Sequence, residues 1–102
     1  MTKVELSKLR NLTVVAAKEQ LFSDLGGEAV ILNLKTGVYH GLDAVGARIW
    51  HLLQETITVD DILKTLLEEY EVEPERCMQE LSVLLQELAD QKLIEVRSEA
   101  TA

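Results

Sequence analysis

Few side chains in this sequence of 102 residues are of the types that carry out chemistry. The two histidines, His40 and His51, have neither a cysteine nor a second histidine beside them at metal-ligand spacing. The acidic pairs at positions 60–61 and 68–69 fall on predicted helices, where adjacent side chains point about 100° apart and cannot share a proton. We therefore expect no enzymatic activity, no metal ion and no cofactor.

The single cysteine, Cys77, excludes an internal disulfide and is typical of a reducing compartment. Its neighbours Met78 and Leu81 favour a thiol that packs as a small apolar group, with a reactive thiol as the alternative. No apolar run approaches the roughly 20 residues that span a bilayer, and residues 1–10 lack the apolar centre of a signal peptide. These features predict a cytoplasmic protein.

A chain of this length, with 47% hydrophobic residues and one proline, is large enough for one modest core and too small for a second. We expect a flexible arm over residues 1–12 and a frayed tail over residues 98–102. The folded domain is then expected over residues 13–97.

The clearest local pattern is a hairpin that runs directly into a helix. Two β-branched and aliphatic runs, residues 28–34 and 38–42, flank a three-residue loop that ends in Gly37, where φ must be positive. This loop predicts that Leu34 pairs with Val38 and that Leu32 pairs with His40. The face predicted to be shared is Val30, Leu32, Leu34, Val38, His40 and Leu42, with Ile31, Asn33 and Tyr39 on the other face.

Three helices and a closing strand follow the hairpin. Asp43 and Thr58 are placed to cap the first and second helices, and Pro74 suits the first turn of the third and longest helix. Residues 93–96 form a predicted closing strand, and residues 13–17 form a first strand that residues 18–24 continue irregularly. This order predicts an α+β fold, with a three-stranded antiparallel sheet packed on a three-helix winged helix-turn-helix bundle.

The formal charge of −8 is concentrated in the helical half of the chain. Residues 55–99 contain thirteen acidic and four basic residues, a net charge of −9, and residues 73–90 alone carry −4. Binding to duplex DNA depends on lysine and arginine that neutralise phosphates, so this third helix would be repelled from a major groove. The same charge disfavours RNA and anionic membranes as partners.

Residues 38–42 are the last of three strands, so in a simple meander their outer edge has unpaired N–H and C=O groups. An extended peptide could add a fourth strand there, beside the broad apolar face of the third helix. Two alternatives stay open: a protein–protein interaction or dimerisation module that binds a folded partner and, more remotely, a winged-helix DNA-binding regulator.

Three segments carry a family resemblance: GEAVILNLKTGVYHGLDAVGARIWHLL, TVDDILKTLLEEYEV and ELSVLLQELADQKLIEV. The pattern G-x-Y-x-G-L-D-x-x-G-x-x-I-W over residues 37–50 is the most specific part. The sequence resembles PqqD-like proteins, the small peptide-recognition elements of pathways that make ribosomally synthesised and post-translationally modified peptides (RiPPs). The resemblance covers residues 14–96, although Lys92 stands where many relatives have glycine.

The resemblance implies a non-catalytic adaptor that binds the leader segment of a precursor peptide and presents it to a maturation enzyme. The enzyme would be a leader peptidase and cyclase of a lasso-peptide cluster, or a radical SAM protein, and a homodimer stays open. In this family the leader joins the third strand and lies against the third helix. Carried over by position, the implied peptide-binding residues are Val38, Tyr39, His40, Gly41, Leu42, Cys77, Met78, Leu81, Leu84 and Leu85.

Some of these side chains also have purely structural interpretations. Trp50 is expected in the core. Tyr39 lines either the binding groove or an ordinary cross-strand contact with Asn33. His40 is a hydrogen-bonded structural residue, a groove residue or a metal ligand, and periodicity does not divide the leucines of the third helix between core and groove.

Overall fold

The computed structural model describes residues 10–26 and 28–97, over which nine elements follow one another. The α+β class and the three helices are confirmed, and the winged helix-turn-helix arrangement stays a prediction. The predicted tail and residues 1–9 of the predicted arm lie outside the described residues. The elements are β1 (Thr13–Ala16), β2 (Gln20–Asp24), β3 (Ala29–Asn33), β4 (Tyr39–Leu42), α1 (Ala44–Leu52), β5 (Ile57–Thr58), α2 (Val59–Glu69), α3 (Pro74–Asp90) and β6 (Ile94–Arg97).

The strands form two antiparallel sheets of three strands each, so the prediction that one three-stranded sheet packs on the helices is not confirmed. One sheet has the strand order β2-β3-β4, and the other has the order β5-β1-β6. The chain leaves the second sheet after β1 because Glu19 has a φ of 65°, a left-handed conformation that interrupts an extended strand. Residues 20–24 therefore pair with β3 as a separate strand and do not continue β1.

The hairpin of β3 and β4 is shifted by one residue from the predicted register. Leu32 lies opposite Tyr39, and Ile31 lies opposite His40. A shift of one residue reverses which side chains of a strand face the core. In β3 the core-facing side chains are therefore Ile31 and the residues two positions before and after it, and not Leu32. The residues of β3 that are buried are Ala29, Ile31 and Asn33.

Asn33 accounts for the shift in register. Its side-chain oxygen accepts hydrogen bonds from the N–H groups of Lys35 (2.9 Å) and Thr36 (3.3 Å), so the turn begins one residue earlier than predicted. The Asn33 N–H donates to the carbonyl oxygen of Val38 at 3.0 Å, which leaves residues 34–37 as a four-residue loop. Gly37 has a φ of 74°, as predicted for the last loop position.

Local sequence signals begin each of the three helices as predicted, through a side-chain cap in α1 and α2 and through a proline in α3. The Asp43 carboxylate accepts from the Gly46 N–H at 2.8 Å, and the Thr58 hydroxyl accepts from the Asp61 N–H at 3.0 Å. Pro74 occupies the first turn of α3, and Glu73 is the residue that precedes it. The first residues of each helix are therefore specified by the sequence next to them.

One continuous core contains side chains from both sheets and all three helices. The expectation that Trp50 belongs to this core is confirmed, since only 2% of it is exposed, and the ring of Phe22 in β2 stacks on it with centroids 6.3 Å apart. The first sheet thereby packs on α1. Within the described part of the chain, no helix is both long enough and apolar enough to cross a membrane.

Residues of the predicted arm just before β1 are attached to the start of α2. The Val59 N–H donates to the carbonyl oxygen of Leu12 at 2.9 Å, and the Asp60 N–H donates to that of Arg10 at 3.0 Å. The Arg10 side chain also forms an ion pair with the Asp60 carboxylate. These bonds satisfy N–H groups that the first turn of a helix leaves without partners.

Lys92 follows the end of α3 and adopts a left-handed conformation, which glycine adopts more readily than other residues. Its φ is 60°, and its N–H donates to the carbonyl oxygen of Ala89 at 3.0 Å. The N–H of Leu93 donates to the carbonyl oxygen of Leu88 at 2.9 Å, and both leucine side chains are fully buried. This is a Schellman motif with lysine at the left-handed position, and it turns the chain from α3 into β6.

Replacing Lys92 by glycine should increase the free energy of unfolding by about 0.5–1 kcal/mol, because a residue with a Cβ is strained at this φ. Urea unfolding followed by circular dichroism would measure the change. The matched control, Lys64→Gly inside α2, should destabilise the protein by about 1 kcal/mol. Equal destabilisation by both glycines would contradict the interpretation of Lys92.

A bidentate ion pair joins α1 to the last turn of α2. Arg48 Nε lies 2.9 Å from Glu69 Oε1, and Arg48 Nη2 lies 2.7 Å from Glu69 Oε2. The hydrogen bonds from Arg48 hold the pKa of Glu69 below its ordinary value. The folded chain therefore favours the ionised carboxylate more than the unfolded chain does.

This pair predicts a pH-dependent difference between the wild type and Glu69→Gln. The stabilisation is fully present above the unfolded-state pKa of glutamate, about 4.3, and is lost as the pH falls through the lower folded-state pKa. Glu69→Gln should thus lower the unfolding temperature by a few degrees near pH 7, and this difference should shrink toward pH ~3. Glu68→Gln is the control, because the neighbouring Glu68 forms no ion pair with any described residue. A difference that stays constant with pH would argue against the ion pair.

Candidate functional site

β4 lies at an edge of the sheet β2-β3-β4, which confirms the meander order that the open-edge argument needs. Among the described residues, no strand pairs with its outer side. Along β4, Tyr39 and Gly41 are exposed, whereas His40 is half-buried and Leu42 is buried. This strand therefore combines a free hydrogen-bonding edge with an inward-facing side.

A groove with a volume of about 350 Å³ lies between β4 and α3. Its β4 side is formed by residues 40–42, and its α3 side includes Cys77 and Leu84. The deepest side chains are apolar and almost fully buried: Leu42, Ile49, Leu66 and Leu81. The groove thus offers an apolar base next to an unpaired strand edge.

The ten residues implied by the family resemblance do not all line this groove. Those that line it are His40, Gly41, Leu42, Cys77, Leu81 and Leu84. Val38 and Tyr39 are exposed, with 45% and 69% of their surfaces accessible, and Met78 is buried in the core. Leu85 lines a different cavity together with Leu12 and Val96. The binding role of all ten residues stays a prediction.

Several groove residues were missed by the sequence argument. Val45 and Ile49 reach the groove from α1, and Tyr70 and Val72 reach it from the segment after α2. Three carboxylates also line it: Asp43, Glu80 and Glu87. Helical spacing could have predicted Glu80 and Glu87, because each lies three residues after a groove residue of α3. No comparable pattern marks residues 70–72.

Gln91, directly after α3, holds the hairpin against the helix. Its side-chain oxygen lies 3.1 Å from Nδ1 of His40, and its main-chain carbonyl oxygen accepts from the Asn33 amide at 3.1 Å. His40 is thus hydrogen-bonded and also lines the groove, so two of its three interpretations apply together. Gln91 thus links both strands of the hairpin to the end of α3.

Cys77 lies in the groove wall as a largely buried thiol, with 9% of its surface exposed. Burial, together with the nearby Glu80 carboxylate, raises the pKa of the thiol. The thiol therefore stays protonated at neutral pH and is a weak nucleophile. This environment agrees with the interpretation of Cys77 as a small apolar group.

Comparison with known families identifies the family to which this chain belongs. The profile of the family described as "Coenzyme PQQ synthesis protein D (PqqD)" matches residues 28–94. The chain belongs to the PqqD family. The matched range of this PqqD-family chain includes β3, β4 and all three helices, and therefore the whole β4 side and α3 side of the groove. The resemblance to PqqD-like proteins is thereby confirmed.

A solved structure extends the comparison to the fold. The structure of TbiB1 in complex with the TbiA(beta) leader peptide is similar to this PqqD-family chain, with a TM-score of 0.73 and 36% sequence identity. The similarity covers 79% of this chain and 94% of TbiB1. A comparison with curated proteins found no match.

Proposed function

We propose that this PqqD-family protein is a non-catalytic adaptor that binds the leader segment of a ribosomally synthesised precursor peptide. The leader adds as a strand to the outer edge of β4 and places side chains in the groove against α3. The observation that carries the proposal is the free β4 edge beside an apolar groove. The leader peptide bound to the similar protein TbiB1 supports this class of ligand.

The hairpin bonds indicate which main-chain groups a leader would meet. The Asn33 N–H donates to the Val38 carbonyl oxygen, so these two residues form a hydrogen-bonded pair. Hydrogen-bonded and non-hydrogen-bonded pairs alternate along an antiparallel ladder. Leu32 and Tyr39 are therefore a non-hydrogen-bonded pair, and Ile31 and His40 are the next hydrogen-bonded pair. The main-chain groups of Tyr39 and Gly41 then point away from β3 toward the open edge. An extended peptide can bond to both residues while its own side chains alternate between groove and solvent.

The adaptor would present the bound leader to a separate enzyme in the cytoplasm. We propose a leader peptidase and cyclase of a lasso-peptide cluster as that enzyme, with a radical SAM protein as the alternative. α3, the third helix of the proposed winged helix-turn-helix bundle, carries Glu75, Glu80, Glu87 and Asp90 against Arg76 alone. This acidity disfavours the use of α3 as a DNA-recognition helix.

The edge is tested by comparing Gly41→Pro with Gly41→Ala. Proline removes the outward N–H of Gly41 and blocks the edge, so binding of a labelled leader from a neighbouring precursor gene should weaken about tenfold, measured by fluorescence anisotropy. Alanine keeps the N–H, and its Cβ would have no neighbour within 4 Å, so its affinity should match the wild type. Unchanged binding by a folded Gly41→Pro variant would contradict strand addition.

The groove is tested by Leu84→Glu, with Val83→Glu as the matched control. Both changes add one negative charge to α3, but Leu84 lines the groove whereas Val83 is 59% exposed and lies outside it. Leu84→Glu should weaken leader binding about tenfold or more, and Val83→Glu should change it little. Loss through Leu84→Glu with full binding by Gly41→Pro would favour a partner that contacts the helix face, the alternative function.

A further inference from the structure

The groove is lined by three carboxylates, and no lysine or arginine is among its described lining residues. Glu80 is paired with Arg76 at 3.1 Å on the exposed side of α3, and Asp43 accepts from the Gly46 N–H. Glu87 makes no side-chain hydrogen bond or ion pair to any described residue. The lining is therefore apolar at its base and negative at its rim.

The spacing of the rim carboxylates on α3 constrains what they can contact together. Glu80 and Glu87 are seven residues apart, which is about two turns and roughly 10.5 Å along the helix axis. Leu81 and Leu84 of the apolar lining lie between them. An extended peptide covers the same length in about three residues, and side chains on one face of it recur at every second residue.

We propose that the groove selects leader segments in which an apolar anchor is flanked by basic side chains. The anchor enters beside Leu81 and Leu84, and two lysines or arginines four residues apart, one on each side of the anchor and on the same face of the extended peptide, reach Glu80 and Glu87. This inference rests on the proposed leader-binding function and names the chemistry of the leader that fits the groove. Complementary charge at a rim acts mainly on association rate and specificity, and the net charge of −8 attracts such a segment from a distance.

The test uses synthetic leader from a neighbouring precursor gene, in its native form and with the basic residues around its apolar anchor replaced by glutamine. The Glu80→Gln/Glu87→Gln double variant should bind the native leader about three- to tenfold more weakly at ~50 mM salt, with a smaller loss at ~500 mM salt. The glutamine leader should bind both proteins alike. The matched control, Glu55→Gln/Glu68→Gln, makes the same change of net charge outside the groove and should shift the affinity less than twofold, about the scatter of surface substitutions.

The outcomes separate this inference from the function on which it rests. A native leader that binds with no dependence on Glu80, Glu87 or salt overturns the charge selection and leaves the adaptor function in place. Tight binding of a leader that has no basic residue near its anchor would likewise overturn the charge selection and leave the adaptor function in place. Absence of binding by every neighbouring leader overturns the proposed function, and the charge selection with it.

Discussion

The geometry of the groove depends on how one buried amide is satisfied. Asn33 is 95% buried, and a buried amide without partners would cost about 1–3 kcal/mol. Its oxygen accepts two main-chain N–H groups of the hairpin loop, and its nitrogen donates to the carbonyl oxygen of Gln91. One side chain thus determines the register of β3 against β4 and attaches that hairpin to the end of α3. A different register would expose Ile31 and change which residues of β3 lie behind the groove.

The helices were predictable because their signals are local. Asp43 and Thr58 accept from N–H groups three residues later, and Pro74 lacks the N–H that a first helical turn would leave without a partner, so these helix starts can be recognised from a short stretch of sequence. The sheets were not predictable in the same way. The burial of Asn33 depends on Gln91, 58 residues away, whose carbonyl oxygen accepts from the Asn33 amide. β1 pairs with β6, the last described strand, so both features depend on contacts between distant segments. The left-handed conformation of Glu19, which separates the two sheets, has no glycine to indicate it.

The candidate site was predictable to the extent that one pattern marks it. The family pattern identified β4, and the apolar stripe identified α3, which places His40, Cys77 and Leu84 in the groove. The stripe is broad enough to face two sides, so periodicity could not separate Leu84 from Leu85, which lies at another cavity. Tyr70 and Val72 follow α2 without a regular pattern, and only the fold brings them to the groove.

The free edge of β4 is open to strand pairing with a second copy of the same chain. Gly41 adds no side chain to hinder such an approach, and β4 carries no proline or lysine, the residues that usually protect exposed edges from aggregation. The net charge of −8 opposes that association, because two like-charged copies repel each other. The acidity of this protein therefore opposes self-association through the free edge of β4. That opposition weakens as ionic strength rises, since salt screens charges on separate molecules first.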